Sequence, residues 1–135
     1  MNLIKAMMIS AAGLKAQGTR LRVIAENLAN ADSLAKSGGG DPYRRKVVSF
    51  KSELDRKLDI ATVAVGRVGV DRREFPLRHD PGHPAANADG YVKLPNVNPL
   101  IEIADMREAQ HSYEANLGAI EAAKGMLSRT VELLR

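Results

Sequence analysis

Residues 2–29 read NLIKAMMISAAGLKAQGTRLRVIAENLA, and one set of residues in this stretch repeats in alternating steps of three and four. This spacing is an a/d heptad seam sustained for about four heptads, and it predicts one long helix. Alternate seam positions are mostly small, so the pattern indicates that a neighbouring backbone can come close. At 1.5 Å per residue this helix is about 42 Å long. The seam consists of Ile4, Met7, Ala11, Leu14, Gly18, Leu21, Ala25 and Leu28.

A second seam with the same spacing fills the C-terminal part of the chain. Asn98 followed by Pro99 predicts its start, because Asn caps helices and Pro suits the first helical position. From Pro99 to Arg135 the helix is about 55 Å long. Two polar residues interrupt this seam, and such residues often set register or partner choice. The seam consists of Ile103, Met106, Gln110, Tyr113, Leu117, Ile120, Lys124, Leu127, Val131 and Leu134.

The sequence between the helices predicts a connector followed by a small β-rich section. Ser37 to Pro42 is a Gly-rich helix breaker. Strands are predicted at 43–50, at 60–70 with a bulge or bend, and at 91–94, whereas 51–58 is ambiguous. The predicted fold class is therefore α+β, with long N- and C-terminal α-helices packed as a coiled-coil-like pair around a small β-rich middle section. Its parts are an N-terminal helix (1–31), a Gly-rich connector (32–42), the β-rich section (43–95) and a C-terminal helix (96–135).

Composition excludes several kinds of protein. The chain has 135 residues, only 4% aromatic residues and no Cys, so disulfides, thiolate metal sites and Cys nucleophiles are excluded. No apolar run approaches the roughly 20 residues that span a bilayer. The short apolar run from Ala6 to Leu14 resembles a secretory signal. Because the helical pattern continues through the supposed cleavage region, we predict that the segment is not cleaved.

The sequence offers little for catalysis or for binding a cofactor. His79, Asp80 and His83 are possible zinc ligands, but the prolines and glycine among them favour a surface turn. Gly38 to Gly40 lacks the Lys and Ser/Thr of a phosphate-binding loop. We therefore predict no catalytic residue, no cofactor and no metal site, and His79 and His83 are given no role.

The basic residues leave an alternative function open. The net charge is +4, with Lys and Arg spread along the chain. The densest group is Arg44, Arg45 and Lys46, together with Arg72 and Arg73. A basic strand can bind phosphate backbones, but no stacking aromatics are interleaved here, and pairing with acidic neighbours is the simpler interpretation. A soluble coiled-coil adaptor or export chaperone is a second alternative, and it requires stable helices in the free protein.

Several motifs point to a known family. Ala12-Gly13-Leu14-Lys15-Ala16-Gln17, Arg20-Leu21 and the run AENLAN at 25–30 resemble the N-terminal signature of flagellar rod and hook proteins. PNVNP at 95–99 and SYEAN at 112–116 resemble the matching C-terminal signature. DPYRRKVV at 41–48, DPGHP at 80–84 and DGYV at 89–92 are similar to proximal rod proteins in particular. The chain thus resembles the bacterial flagellar basal-body rod protein family over nearly its full length.

This resemblance implies a mechanical function and not an enzymatic one. Such proteins are structural subunits of the proximal rod, which assembles helically into a hollow axial drive shaft that transmits torque. The implied partners are copies of the chain, other flagellar rod proteins and the flagellar type III export apparatus, with no nucleic acid and no small-molecule substrate. The implied location is the periplasmic rod of the basal body, reached without a cleaved signal peptide and without a transmembrane helix.

The seams and the family signatures together predict which residues contact other subunits. Outer subunit contacts are expected at Tyr43, Arg44, Arg45 and Lys46. The expected assembly interface consists of Ile4, Met7, Ala11, Leu14, Leu21, Ala25, Asn27, Leu28, Asn30, Ile103, Met106, Gln110, Tyr113, Asn116, Leu117, Ile120, Leu127 and Val131.

Overall fold

Two long helices flank two small β-hairpins in the computed structural model, which describes residues 2–135. This arrangement confirms the predicted α+β class. The elements in chain order are α1 (Leu3–Ala29), β1 (Lys46–Asp55), β2 (Ile60–Val70), β3 (Leu77–His79), β4 (Tyr91–Lys93) and α2 (Pro99–Leu133).

Both helices begin at an asparagine cap. The Asn2 Oδ1 atom accepts a hydrogen bond from the Ile4 backbone N–H at 2.9 Å, and Asn98 Oδ1 accepts one from Leu100 at 3.1 Å. These bonds satisfy amide groups that have no partner inside the first helical turn. Pro99 occupies the first position of α2 as the sequence predicts, because its missing N–H is not needed there.

The first hairpin joins β1 to β2 through a tight turn. Asp55 Oδ1 accepts hydrogen bonds from the backbone N–H groups of Lys57 and Leu58, and Asp59 has a positive φ of 52°. The predicted bounds of β2 are confirmed, and it runs unbroken from Ile60 to Val70. β1 begins three residues later than predicted, and it extends through Asp55 into the region that the sequence left ambiguous.

The second hairpin is much shorter than the first. β3 pairs antiparallel with β4, with Leu77 opposite Lys93 and His79 opposite Tyr91. The prediction located β4 but not β3. Gly90, with a φ of 83°, closes the turn before β4 in a conformation that suits glycine.

The chain divides into two compact units. Unit 1 comprises Met1–Leu21, Val48–Arg67 and Arg107–Arg135, and unit 2 comprises Arg22–Val47 and Val68–Met106. Each unit buries a few apolar side chains of modest size. These are Ala16, Ile60, Ala109 and Ala123 in unit 1, and Val23, Ile24, Ala85 and Val92 in unit 2.

Neither long helix has the character of a membrane span. Among residues 2–135, no helix combines sufficient length with sufficient apolar content to cross a bilayer.

Candidate assembly interface

The face of α1 that the chain buries does not coincide with the predicted seam, and three of its five buried residues lie directly before a seam position. Among the seam residues, Ile4, Ala11 and Ala25 are exposed. The others, Met7, Leu14, Gly18, Leu21 and Leu28, are half-buried. The buried residues of α1 are instead Gly13, Ala16, Val23, Ile24 and Asn27.

The same offset occurs on α2. Its buried residues are Glu102, Ala109 and Ala123, each directly before or close to a seam position. Only Met106 and Ile120 of the second seam are half-buried. The remaining seam residues are exposed, namely Ile103, Gln110, Tyr113, Leu117, Lys124, Leu127, Val131 and Leu134. The apolar stripe of α2 is therefore left largely uncovered by its own chain.

Small and polar residues form the contacts between α1 and α2. In unit 1, Gly13 lies against the side-chain amide of Asn116, and Arg20 Nη2 lies 3.5 Å from Glu108 Oε2. In unit 2, the Asn27 amide nitrogen donates to Glu102 Oε2 at 3.3 Å. Sequence reasoning assigned the helix contact to the apolar seams, and these three contacts lie outside the seams.

Asn27 is the centre of a polar cluster in unit 2. Its side chain is 1% exposed and makes four hydrogen bonds. Besides the bond to Glu102, Nδ2 donates to the Lys46 carbonyl at 2.9 Å, while Oδ1 accepts from Tyr43 Oη at 2.8 Å and from the Lys46 N–H at 2.9 Å. Every hydrogen-bonding position of the amide is used. Asn27, predicted to contact other subunits, thus lies inside its own chain.

Arg45 neutralises the most deeply buried carboxylate of this cluster. Glu102 is 0% exposed, and its Oε1 accepts a hydrogen bond from Arg45 Nε. The same guanidinium lies 3.5 Å from Asp71 Oδ2 and 3.6 Å from Asp105 Oδ2. A charge removed from water needs such a partner, because an unpaired buried ion is strongly unfavourable.

Asp71 is held by a second arginine. Its Oδ2 accepts from Arg73 Nη2 at 2.6 Å, and Oδ1 accepts from the Arg73 backbone N–H at 3.0 Å. The side-chain bonds from Arg73, then its backbone N–H and the nearby charge of Arg45, lower the pKa of Asp71 to about 2. Asp71 therefore stays ionised throughout the physiological range.

The remaining basic residues of this segment also have partners within the chain. Arg44 donates from Nη1 to the carbonyl oxygens of Asp71 and Arg73, and its guanidinium lies 4.1 Å from the centre of the Phe75 ring. Lys46 Nζ donates to Glu26 Oε2 at 2.8 Å. This bond lowers the pKa of Glu26 and raises the pKa of Lys46.

The four residues predicted as outer contacts, Tyr43 to Lys46, therefore all make contacts inside unit 2. Their contact with another subunit stays a prediction. The same pairing weakens the nucleic-acid alternative, because Arg45, Lys46 and Arg73 already face carboxylates.

Asn30 and Asn116 were also predicted at the assembly interface, and both make local bonds. Asn30 Nδ2 donates to the Glu26 carbonyl, and Asn30 Oδ1 accepts from Ser33 Oγ. Asn116 Nδ2 donates to the Ser112 carbonyl at 2.9 Å. The bonds of Asn30 lie at the C-terminal end of α1, and the bond to Ser112 orients the Asn116 amide. Each residue therefore has a role within the chain.

The two histidines of the predicted turn make local contacts only. His79 meets the Tyr91 ring edge to face at 5.0 Å, and His83 Nδ1 accepts from the Ala85 N–H. Among residues 2–135, no group of three or more His, Asp or Glu side chains is placed to hold a metal ion.

An open groove of about 400 Å³ lies in unit 1 between α1 and the first hairpin. Small and apolar side chains such as Ala16 and Val63 line it together with Lys15, Lys51 and Glu53. Lys15 and Lys51 are positively charged and Glu53 is negatively charged, so the groove does not favour a ligand of one charge.

The end of α2 is the most exposed apolar part of unit 1. Val131 is 55% exposed, Leu133 87% and Leu134 83%. Met126 and Leu127 are also exposed, as are Ile4, Met8 and Ile9 near the start of α1. Large exposed apolar surfaces of this kind mark sites of protein or membrane contact.

Comparison with known proteins gives this surface a context. Residues 88–133 match the family model described as flagellar basal body rod FlgEFG protein C-terminal. A flagellar basal-body rod protein FlgC from Agrobacterium fabrum is 51% identical over 127 residues, which cover 94% of this chain and 91% of the relative. The FlgC of Bacillus subtilis is 41% identical, covering 93% of each chain, and that of Salmonella typhimurium is 39% identical, covering 98% of each.

Proposed function

This chain belongs to the FlgC family of flagellar basal-body rod proteins, and we propose that it is a structural subunit of the proximal rod of the bacterial flagellum. In this proposal the subunits assemble helically into a hollow axial shaft that transmits torque. The partners are copies of the chain and other rod proteins. The role is structural and involves no reaction.

The exposed stripe of α2 is the observation that carries this proposal. Leu117, Leu127 and Val131 are large apolar residues, and each is more than a third exposed although it occupies a seam position. Fully burying one such side chain contributes about 1.5–3 kcal/mol, so a stripe repeated along a helix of 35 residues supplies a strong drive for association. Adjacent helices of neighbouring subunits are the partners that fit a heptad stripe.

The length of the helices suits an element that carries load between neighbours. α2 contains 35 residues, which corresponds to about 52 Å of continuous helix. Its stripe can therefore contact more than one neighbouring subunit. Torque applied to one subunit then passes to the next through several separate side-chain contacts.

We further propose that the chain reaches the rod through the flagellar type III export apparatus with its N-terminus intact. α1 is one helix from Leu3 to Ala29. Gly13 and Ala16 lie on its buried face and belong to unit 1. Cleavage of the signal-like run ending at Leu14 would remove nearly half of this helix. The place of residues 3–14 in unit 1 therefore supports the proposal that the N-terminus is retained.

A substitution pair tests the proposal. Leu117→Asp places a charge in the stripe, and we expect cells that carry it to lose motility and to lack the chain in purified basal bodies. Lys51→Ala, in an exposed residue of the first hairpin, is the control and should leave both unchanged. Mass spectrometry of the basal bodies measures incorporation and the N-terminal peptide together.

Two results would contradict the proposal. One is absence of the parent chain from intact basal bodies, which would favour the adaptor alternative. The other is normal motility and incorporation of the Leu117→Asp variant. Salt-dependent binding of DNA or RNA by the purified chain would instead favour the nucleic-acid alternative.

A further inference from the structure

The faces that join α1 to α2 carry residues of contrasting size at heptad spacing. On α1 these are Ala6, Gly13, Arg20 and Asn27, and on α2 they are Glu102, Ala109, Asn116 and Ala123. A face made of alanines alone would tolerate sliding by one heptad, because the slide would restore equivalent contacts. The residues that differ from alanine are therefore the ones able to specify the register.

Gly13 and Asn116 approach each other closely on this face in unit 1. A Cβ atom on Gly13 would lie 2.7 Å from Asn116 Oδ1 and 2.8 Å from Nδ2, which is closer than real Cβ contacts. Turning the amide away would break the hydrogen bond that Nδ2 donates to the Ser112 carbonyl at 2.9 Å. Only a glycine on α1 can lie beside this side chain without a shift.

Charged and polar residues mark the neighbouring positions. In unit 1, Arg20 contacts Glu108, next to the fully buried Ala109. In unit 2, Asn27 contacts Glu102. A large residue on one helix thus meets a small residue or a polar partner on the other.

We propose that the Gly13–Asn116 contact, supported by the Arg20 and Asn27 contacts, determines the register of α2 against α1. A slide of one heptad in either direction would place the Asn116 amide opposite Ala6 or Arg20, where there is no bare backbone to receive it. Gly13 would then face Ala109 or Ala123 and leave a void. The hydrogen bond between Asn27 and Glu102 would be lost in both cases.

The register matters beyond the helix pair, and this step rests on the proposed function. A slide of seven residues moves one helix by about 10 Å along the other. That distance changes how far the apolar end of α2, from Leu127 to Leu134, extends past the start of α1. A neighbouring rod subunit that packs on this end would meet a surface of the wrong length.

Two glycines of α1 provide a matched test. Gly13→Ala and Gly18→Ala make the same chemical change in the same helix, with a similar gain in helix propensity. Gly18 has no atom within 4 Å of an added Cβ, whereas Gly13 meets Asn116. A difference between the two variants therefore reports the contact itself.

Engineered disulfides read the register, since the chain contains no Cys. Ala6→Cys with Ala123→Cys reports the native register, because the two positions lie seven residues from Gly13 and from Asn116 on the same faces. Ala6→Cys with Thr130→Cys reports a register slipped by one heptad. Both pairs are introduced into the full chain and oxidised in purified basal bodies and in the free protein.

We expect the native disulfide to form equally in the parent and in the Gly18→Ala variant. In Gly13→Ala it should fall at least fivefold, with a rise in the slipped disulfide or a loss of incorporation. Adding Asn116→Gly to Gly13→Ala removes the overlap and leaves the Arg20–Glu108 and Asn27–Glu102 contacts in place, so it should restore part of the native disulfide and of motility, which a merely destabilising change would not do.

Equal native disulfide yield and motility in Gly13→Ala and Gly18→Ala would overturn the inference. Failure of Asn116→Gly to rescue Gly13→Ala, or a parent that forms no native disulfide in either state, would also overturn it. If the parent is absent from basal bodies, the proposed function fails instead, and the disulfides of the free protein still decide the register.

Discussion

The two ends of α2 differ in how completely the chain pairs their polar groups and buries their apolar side chains. At its start, in unit 2, the buried Glu102 finds Arg45 and Asn27, and Asn27 uses all its hydrogen-bonding positions. At its end, in unit 1, Leu133 and Leu134 are more than four-fifths exposed. The start of α2 has its buried charged and polar groups paired, whereas the end leaves large apolar side chains exposed.

This difference separates the roles of the two ends. A buried charge without a partner destabilises a fold, so the first end has to be completed within the chain. An exposed apolar residue does little harm to the isolated chain and gains stability only when something covers it. The start of α2 therefore supports the fold of the subunit, whereas its end is available for assembly.

Breaking the charge pair at the first end should have the largest effect on the free chain. Arg45→Ala leaves Glu102 buried without its cation, which we expect to lower the free energy of unfolding by about 3–5 kcal/mol. Chemical denaturation of the purified chain measures this. Arg72→Ala, at an exposed position, is the control and should change the value by less than about 0.5 kcal/mol. Similar values for the two variants would show that the cluster does not hold unit 2 together.

Removing the Asn27 side chain should have the next largest effect. Asn27→Ala leaves the Lys46 N–H and carbonyl without their side-chain partner, and we expect a loss of about 2–3 kcal/mol. Tyr43→Phe removes a single hydrogen bond of the same amide and should cost about 1 kcal/mol. If the two variants were equally stable, the network of four bonds would not be the stabilising feature.

Acid should weaken the same end through Asp71. Its pKa in the folded chain is about 2, below its usual value of 3.8, so the unfolded chain binds the proton more tightly. The contribution is complete above about pH 4 and is lost as the pH falls toward 2, and it amounts to no more than about 2 kcal/mol. Denaturation of the parent and of Asp71→Asn at several pH values measures it. The parent should lose more stability than the variant between pH 4 and 2, and parallel curves would refute the assignment.

A charge at the second end should have the smallest effect on the free chain. Val131→Asp alters an exposed residue, so its free energy of unfolding should stay within about 0.5 kcal/mol of the parent. The same variant should fail to enter basal bodies, because assembly would bury the new charge. A variant that assembles normally would remove the end of α2 from the interface.

The sequence predicted the helices well because local signals define them. Asn98 and Pro99 mark the start of α2, and the heptad spacing continues to its end. β3 escaped prediction because three residues, Leu77 to His79, carry no periodic signal, and their pairing with β4 depends on the irregular loop 80–90 that joins the two strands.

The face that the helices use within the chain was not predicted, for a different physical reason. Apolar periodicity identifies the most hydrophobic stripe of a helix, which on α2 includes Leu117 and Val131. The face used within the chain holds Gly13, Asn27 and Glu102, which are buried through close approach and hydrogen bonding. Such residues give no hydrophobic signal, so only the tertiary contacts reveal them. A small or polar residue directly before most of the seam positions is the pattern that could have suggested this face.

The exposure of Val131 before and after assembly tests the central claim most directly. The chain has no Cys, so the thiol of a Val131→Cys variant can be labelled with a maleimide in the free protein and in purified basal bodies. We predict rapid labelling of the free protein, strong protection in the basal body and full labelling once the basal body is dissociated. Labelling that is equally rapid in the free protein and in the intact basal body would show that no neighbour covers this end of α2, and it would contradict the account.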